Sequence, residues 1–414
     1  MESKQTPEIR IPGFNRDWEE RKLGELIEIS SAARVHKNEW TTSGVRFFRS
    51  SDVVSNFNGK KNTPAFISYS LYDELSKKSG LVQPGDILIT GGGSIGIPYL
   101  VADQEPLYFK DADLIWLKSA NKIVGYFLYS YFVTPQLRKY ISNITHIGTI
   151  SHYTIEQAKD TPILLPEQVE QTQIGNFFKQ LDDTIALHQQ ELTTLKETKQ
   201  GFLQKMFPKE GESVPKIRFP GFTEDWEQCE LSKGMTEYTE RVLIKDDKVY
   251  KQVSVKNIGE IILRGEQEGS KIGRKRQAKV NLTKHPNTLI FTRQTIEQGG
   301  IGFAPKETDG AIVTENMPTI SVDTNVFDRN YIITLVKTGL WRKKVILSNI
   351  EGGTAQIAIH EDNILKSEIL FPKINEQQKI GIFFKQLDDT ITLHQRELDA
   401  LKETKKAFLQ KMFV

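Results

Sequence analysis

Apolar residues recur three and four positions apart over two long stretches of this chain. In the first they fall at Phe178, Leu181, Ile185, Leu192, Leu195, Phe202 and Met206, with His188 and Lys199 interrupting the series. In the second they fall at Phe384, Leu387, Ile391, Leu398, Leu401, Phe408 and Met412, with His394 and Lys405 in the matching places. Sustained for about four heptads, the pattern predicts a helix carrying a coiled-coil seam in each stretch. Pro166 and Pro372 suit a first helical turn, and Pro208 stops the first helix soon after Phe207. Each helix, at 1.5 Å per residue, would be about 51 Å long. It cannot bury its apolar stripe alone, and two in one chain can cover each other. The pattern leaves parallel and antiparallel pairing open, although a two-fold arrangement of like units favours antiparallel. The polar seam positions are suited to fixing register, with the histidines read as partly solvated rim positions.

The two stretches are copies. Ile174–Phe207 and Ile380–Phe413 agree at about 27 of 34 positions, including an unbroken FFKQLDDTI in each. PEIRIPGFNRDWE from Pro7 returns as PKIRFPGFTEDWE from Pro215, and ILLPEQVEQ from Ile163 as ILFPKINEQ from Ile369. The spacing between copies is roughly constant, so the chain is a tandem duplication of one unit. Each unit has a short lead-in, a divergent middle and a near-identical helical tail. The segments are read as 1–23 lead-in, 24–165 first middle, 166–207 first helix, 208–231 linker and second lead-in, 232–371 second middle and 372–414 second helix.

Inside the middles the periodicity shortens to strand-like runs bounded by glycine and proline: VRFFRSSDVV at 45–54 and GDILIT at 85–90, then KVYKQVSVKNI at 248–258 and NTLIFT at 287–292. Thr90–Gly96 in the first middle stands opposite Thr292–Gly302 in the second, the second loop being longer. The strand before each loop is kept while the loop changes in length and chemistry. Repeated helices with divergent heads suggest one structural task done twice and two different things recognised.

Composition narrows the recognised partner only modestly. The chain has 414 residues, 26% charged, a net charge of +2 and a single cysteine, Cys229, which excludes a disulfide framework or a thiolate metal cluster. No apolar run approaches the length of a membrane span, and MESKQTPEIR lacks the apolar core of a secretory signal, so a cytoplasmic location is the default expectation. Charge is distributed unevenly. Lys271, Arg274, Lys275, Arg276 and Lys279 crowd into nine residues of the second head, with Arg293 and Gln294 in its variable loop. Such cations neutralise phosphates, and arginine and glutamine pair two-pronged with guanine and adenine edges. The first head offers Arg46, Arg49, Lys60 and Lys61, plus Thr90, Ser94, Thr149, His152 and Tyr153. These residues are the candidates for touching double-stranded DNA.

Catalytic signatures do not accompany them. GGGSIG lacks the following lysine and hydroxyl residue of a P-loop, there is no Pro-Pro pair for an amino-methyltransferase motif, and no zinc spacing or nucleophile elbow occurs. Glu197–Lys199 and Glu403–Lys405 have nuclease-like spacing but sit in the predicted helices, where residues two apart diverge. The chain reads as a non-catalytic reader with no metal or cofactor of its own. A coiled-coil scaffold whose β-rich heads hold protein partners is the alternative.

The duplicated IRxPGFxxDWE lead-ins, the PGDIL strand at Pro84–Leu88, the ILxP approach to each helix and the repeated FFKQLDDTI resemble, over the whole chain, the specificity subunit of type I restriction-modification enzymes. The resemblance implies an α+β fold: two pseudo-two-fold-related α/β target-recognition domains separated by two long helices in an antiparallel coiled coil. It implies that each domain reads one half of a bipartite asymmetric DNA site, with Thr90–Gly96 and Thr292–Gly302 next to DNA. Phe177–Phe207 and Phe383–Phe413 would set the gap and dock two methyltransferase subunits. Those partners would use S-adenosylmethionine to methylate adenine N6, and restriction subunits would add ATP- and Mg-dependent translocation and cleavage.

Overall fold

In a computed structural model, the structure describes residues 6–110, 114–145, 151–256, 259–349 and 359–414. The chain divides into two compact units, Met1–Gln189 with Arg396–Val414, and Gln190–Gln395. Both long helices are present, Gln168–Lys205 and Ile374–Lys411, each of 38 residues, and each unit contains part of both.

In the first unit the start of one helix lies beside the end of the other: Phe177 meets Phe408 edge-on at 5.0 Å between ring centroids, and Phe178 lies 5.6 Å from Phe413. In the second unit Phe202 meets Phe383 at 5.1 Å and Phe207 lies 6.2 Å from Phe384. The helices are therefore antiparallel, which settles what periodicity left open. The two lysines that interrupt the apolar seam find carboxylates across it, Lys405 on Asp182 in the first unit and Lys199 on Asp388 in the second. Because the pairs occupy matching positions of the two copies, a shift of one helix along the other would separate both. His188 and His394 are half-buried, and His394 Nδ1 lies 3.8 Å from a Glu191 carboxylate oxygen.

The lead-in segments tie helix ends to heads, the same way in each unit. The Ile9 amide donates to the Lys411 carbonyl (2.9 Å) and the Ile217 amide to the Lys205 carbonyl (3.0 Å), satisfying carbonyls that a helix end leaves open. Arg10 grips Glu170 through Nε (2.7 Å) and Nη2 (2.8 Å); Arg218 grips Glu376 through the same two atoms at 2.8 and 2.7 Å. Both glutamates lie in a first helical turn, where the helix dipole favours negative charge, and both are only 1% exposed. One residue on, Gln171 and Gln377 donate to the carbonyls of Pro166 and Pro372 and accept the amides of Val124 and Asp328. The tryptophans of the DWE motifs complete each anchor, Trp18 against Phe127 and Phe413, Trp226 against Phe207 and Tyr331.

Each head contains a four-stranded antiparallel sheet of the same order. In the first it runs Glu28–Ser30, Leu114–Lys118, Ile87–Thr90, Pro98–Leu100; in the second Met235–Tyr238, Thr319–Val322, Thr288–Phe291, Ile301–Phe303. The inner strands ILIT and TLIF are buried throughout, as their unbroken apolar runs demand. The second sheets differ. The first head has four short strands, and the second has five, including the long hairpin Val249–Val255 with Ile261–Glu268.

The sequence reading of 45–54 as one strand needs correction: Val45–Phe48 is a strand, but Ser50–Phe57 is a helix. Asp52 in its first turn accepts the Arg49 amide (3.0 Å), and this capping outweighs the β-propensity of the two valines. The first head is also more helical than its short apolar runs suggested, with helices at Tyr69–Ser79, Gly125–Val133 and Pro135–Thr145.

Candidate nucleic-acid interface

The two variable loops leave equivalent strands and are held by equivalent bonds. In the first head the Thr90 amide donates to Ile97, the Gly96 amide returns to Thr90, and the Tyr153 amide donates to the Gly91 carbonyl (2.7 Å). In the second the Thr292 amide donates to Gly300 and the Ile359 amide to the Arg293 carbonyl (3.1 Å). The longer second loop gains its own bracing, a Thr292–Thr295 hydroxyl contact and a single 3-10 turn at Ile296–Gln298.

Beside the second loop lies a groove of about 870 Å³ lined by residues of both sheets of that head, among them Arg241, Arg276, Arg293, Glu237 and Glu315. It unites two sequence candidates, Arg276 and Arg293, and adds Arg241, which sequence reasoning missed. Arg241 stands alone among uncharged neighbours in EYTERVLI except for glutamate, so no cationic run marks it; only its strand pairing, opposite Ala278, brings it to the groove. The lining is mixed. A surface meant only for phosphates needs unopposed cations, whereas base edges present both donors and acceptors and call for both kinds of side chain. Burial, then the nearby Glu361 and Asp362 carboxylates, push the Glu237 carboxyl above its ordinary value.

The charges are not equally available. Arg274 is paired with Glu315, Lys271 with Glu268 (2.9 Å), and Lys275 with Asp246 (2.5 Å) and the Gly269 carbonyl (2.7 Å). Lys279 is half-buried on the strand Arg276–Lys279, and Arg276 is exposed. Three of the five cations of the nine-residue run thus have carboxylate partners within the head. Gln294 is exposed, while Arg293 is clamped by Glu361 through Nε (2.8 Å) and Nη2 (2.5 Å). Burial alone would raise the Glu361 carboxyl; the hydrogen bonds and positive charge of Arg293 outweigh it and hold it below the usual range. A carboxyl depressed in the folded state contributes stability that is complete above its unfolded pKa and is lost as pH falls through the folded value. A Glu361→Gln variant should therefore show a flatter loss of protection at the Ile359 amide as pH falls through and below the ordinary carboxylate range, measured by hydrogen exchange.

In the first head several candidates serve the fold. Arg49 binds buried Asp52 through Nε (2.7 Å) and the Thr63 carbonyl (2.6 Å), and Arg46 reaches the same Asp52 at 3.3 Å. Both are committed to a carboxylate that is itself 4% exposed and would be costly to leave unpaired. Thr90 is fully buried, its hydroxyl donating to the Ser94 carbonyl and accepting the Ile97 amide; Tyr153 is buried against Thr161 at 2.6 Å. Neither presents a surface to a ligand. Lys60, Lys61, Ser94 and His152 are exposed, and His152 packs so close over Gly92 that a Cβ there would meet its ring at 2.8 Å. Thr149 lies outside the described residues.

Duplicated anchors, antiparallel helices and two heads that share a loop frame but not loop chemistry define a protein that recognises through paired, divergent domains. The chain belongs to the type I restriction modification DNA specificity domain family, whose profile matches it twice, over residues 15–197 and 223–403. It is similar to the type I restriction enzyme MjaVIII specificity subunit of Methanocaldococcus jannaschii, at 22% identity over 358 residues covering 82% of this chain and 81% of that protein. Its fold is similar to the crystal structure of the type I restriction-modification system S subunit from M. genitalium, with a TM-score of 0.61 at 14% identity over 99% of each chain. Among the described residues no helix is long and apolar enough to cross a membrane.

Proposed function

We propose that each head reads one half of a bipartite, asymmetric double-stranded DNA site, while the paired helices set the gap and dock two methyltransferase subunits. The observation that carries this reading is the common loop frame with unlike loops and unlike second sheets: one way of presenting a reading surface, used for two different half-sites. The second head reads through its groove, with Arg276 and Arg241 offering donors and Glu237 an acceptor, and through exposed Gln294 on the adjoining loop. Lys279 reaches the flanking phosphates, and Arg274, Lys275 and Lys271 reach them only in part, in competition with their carboxylate partners. In the first head Lys60, Lys61, Ser94 and His152 are the corresponding surface.

This chain carries no catalytic step and no cofactor. The docked methyltransferase subunits bind S-adenosylmethionine and methylate adenine N6, and restriction subunits add the ATP- and Mg-dependent activities. The test is binding of the complex of this chain with its modification subunits to duplexes carrying both, one or neither half-site, followed by fluorescence anisotropy. The full site should bind at least about a hundredfold tighter than a duplex with one half scrambled. Equal affinity for all duplexes would refute sequence reading and favour heads that hold protein.

A further inference from the structure

Each head carries an arginine that reaches the variable loop from the helix behind it, and the two arginines are equivalent. In the first head Thr134 starts the helix Pro135–Thr145: its hydroxyl donates to Tyr131 (2.7 Å) and accepts the Leu137 amide (3.3 Å). In the second, the Thr338 hydroxyl donates to Leu335 (2.6 Å) and accepts the Trp341 amide (3.2 Å). Four residues after each threonine stands an arginine, Arg138 or Arg342.

Arg138 Nη1 donates to the carbonyls of Ile95 (2.9 Å) and Gly96 (2.5 Å), at the end of the GGGSIG loop. The approach depends on Gly96, whose φ of +71° is left-handed and whose absent Cβ would sit 3.1 Å from that same nitrogen. The guanidinium is half-buried, burial lowers its pKa, and among the described residues it has no carboxylate partner. A cation kept in such a place at a desolvation cost, with backbone carbonyls as its acceptors, is holding the loop's path. Arg342 meets the other loop differently: its Nη2 donates to Glu297 (3.1 Å), in the 3-10 turn that the longer loop contains. It opens a π-helical turn, Arg342–Ile346, a form concentrated at functional sites. One helix position thus grips two loops of different length, by carbonyls in the short loop and by a carboxylate in the long one.

We propose that Arg138 and Arg342 are positioning residues, each fixing the pose in which its head's loop meets DNA and so setting half-site preference without touching a base. The proposal rests on the reading of the heads as DNA-reading domains. It follows that a loop grafted from one head to the other will read correctly only with its matching acceptor for this arginine.

The test uses the full chain with its cognate modification subunit, comparing wild type with Arg138→Met, Arg138→Lys, Arg342→Glu, Glu297→Arg and the last two combined. Two readouts are taken: hydrogen exchange of loop and long-helix amides, and the methylated motif read across a host genome. Arg138→Met should speed exchange of the Gly96 and Ile97 amides by about 10–100-fold with the long helices unchanged. It should relax preference in one half of the motif only, and Arg138→Lys should restore part of both. Arg342→Glu should relax the other half, and adding Glu297→Arg should recover it. Unchanged loop exchange, faster exchange with an intact motif, or equal loss in both halves would each overturn the proposal. A wild-type motif that is not bipartite would instead sink the reading of the heads, and the proposal with it.

Discussion

Glu376→Ala will destabilise the second unit by about 3–5 kcal/mol, because it strands the Arg218 guanidinium in a site built for a carboxylate. Arg218 has little exposed side chain, and its remaining partner is the Glu224 carbonyl at 2.8 Å. The pair also joins the lead-in to the first turn of the long helix, so its loss loosens both the helix start and the packing of Trp226. Differential scanning calorimetry should show the loss, with Arg218→Ala costing a similar amount and the double variant far less than the sum, since the two substitutions remove the same coupling. Glu170→Ala should do the same in the first unit through Arg10. Additive losses in the double variant would show that the pair is not a unit and that the duplicated lead-in is held by its backbone hydrogen bond and apolar contacts instead.

Arg276→Ala should weaken binding to the full site by about 1–3 kcal/mol and relax preference at one position of one half-site. Arg276 is exposed at the groove, whereas Arg274 and Lys275 have carboxylate partners that compete with DNA. The triple alanine variant of Arg274, Lys275 and Arg276 should therefore reduce the salt slope by much less than the roughly 0.9 expected per released counterion at each of three sites. A slope reduced by the full amount would mean that DNA strips Arg274 and Lys275 from their carboxylate partners. Equal weakening on every sequence by Arg276→Ala would make it a phosphate contact.

Much of the fold is legible in the sequence because two of its signals are long. A seam sustained over several heptads identifies the helices, and an almost verbatim repeat identifies the duplicated unit with its lead-ins. The strands before the variable loops, ILIT and TLIF, are legible as fully apolar runs. The helix Ser50–Phe57 was hidden because its start depends on Asp52 capping backbone next to two β-branched residues. The seam alone leaves the pairing direction of the long helices open, since it is symmetric under reversal; two-fold symmetry and the family resemblance are what point to antiparallel pairing. In the structure Phe177 beside Phe408 and Phe202 beside Phe383 fix it, and Lys405 on Asp182 and Lys199 on Asp388 match it.

The interface was less legible, for a physical reason. A run of cations in sequence says nothing about the carboxylates that folding brings to it, and Asp246 and Glu315 are supplied by other turns and strands. Arginine at 46 and 49 looks the same as arginine at 276 until Asp52 is found buried between them. Arg241 and Arg342 carry no local signal at all, and only strand pairing and the repeated threonine cap bring them into view.

On this reading the chain chooses the DNA sequence on which its partners act. The most direct measurement is a map of N6-methyladenine in a host genome expressing the chain with its cognate modification subunit, beside the same host lacking this chain. A bipartite motif methylated on opposite strands should appear in the first host and disappear in the second. The same motif persisting without this chain would contradict this and assign the reading to another protein.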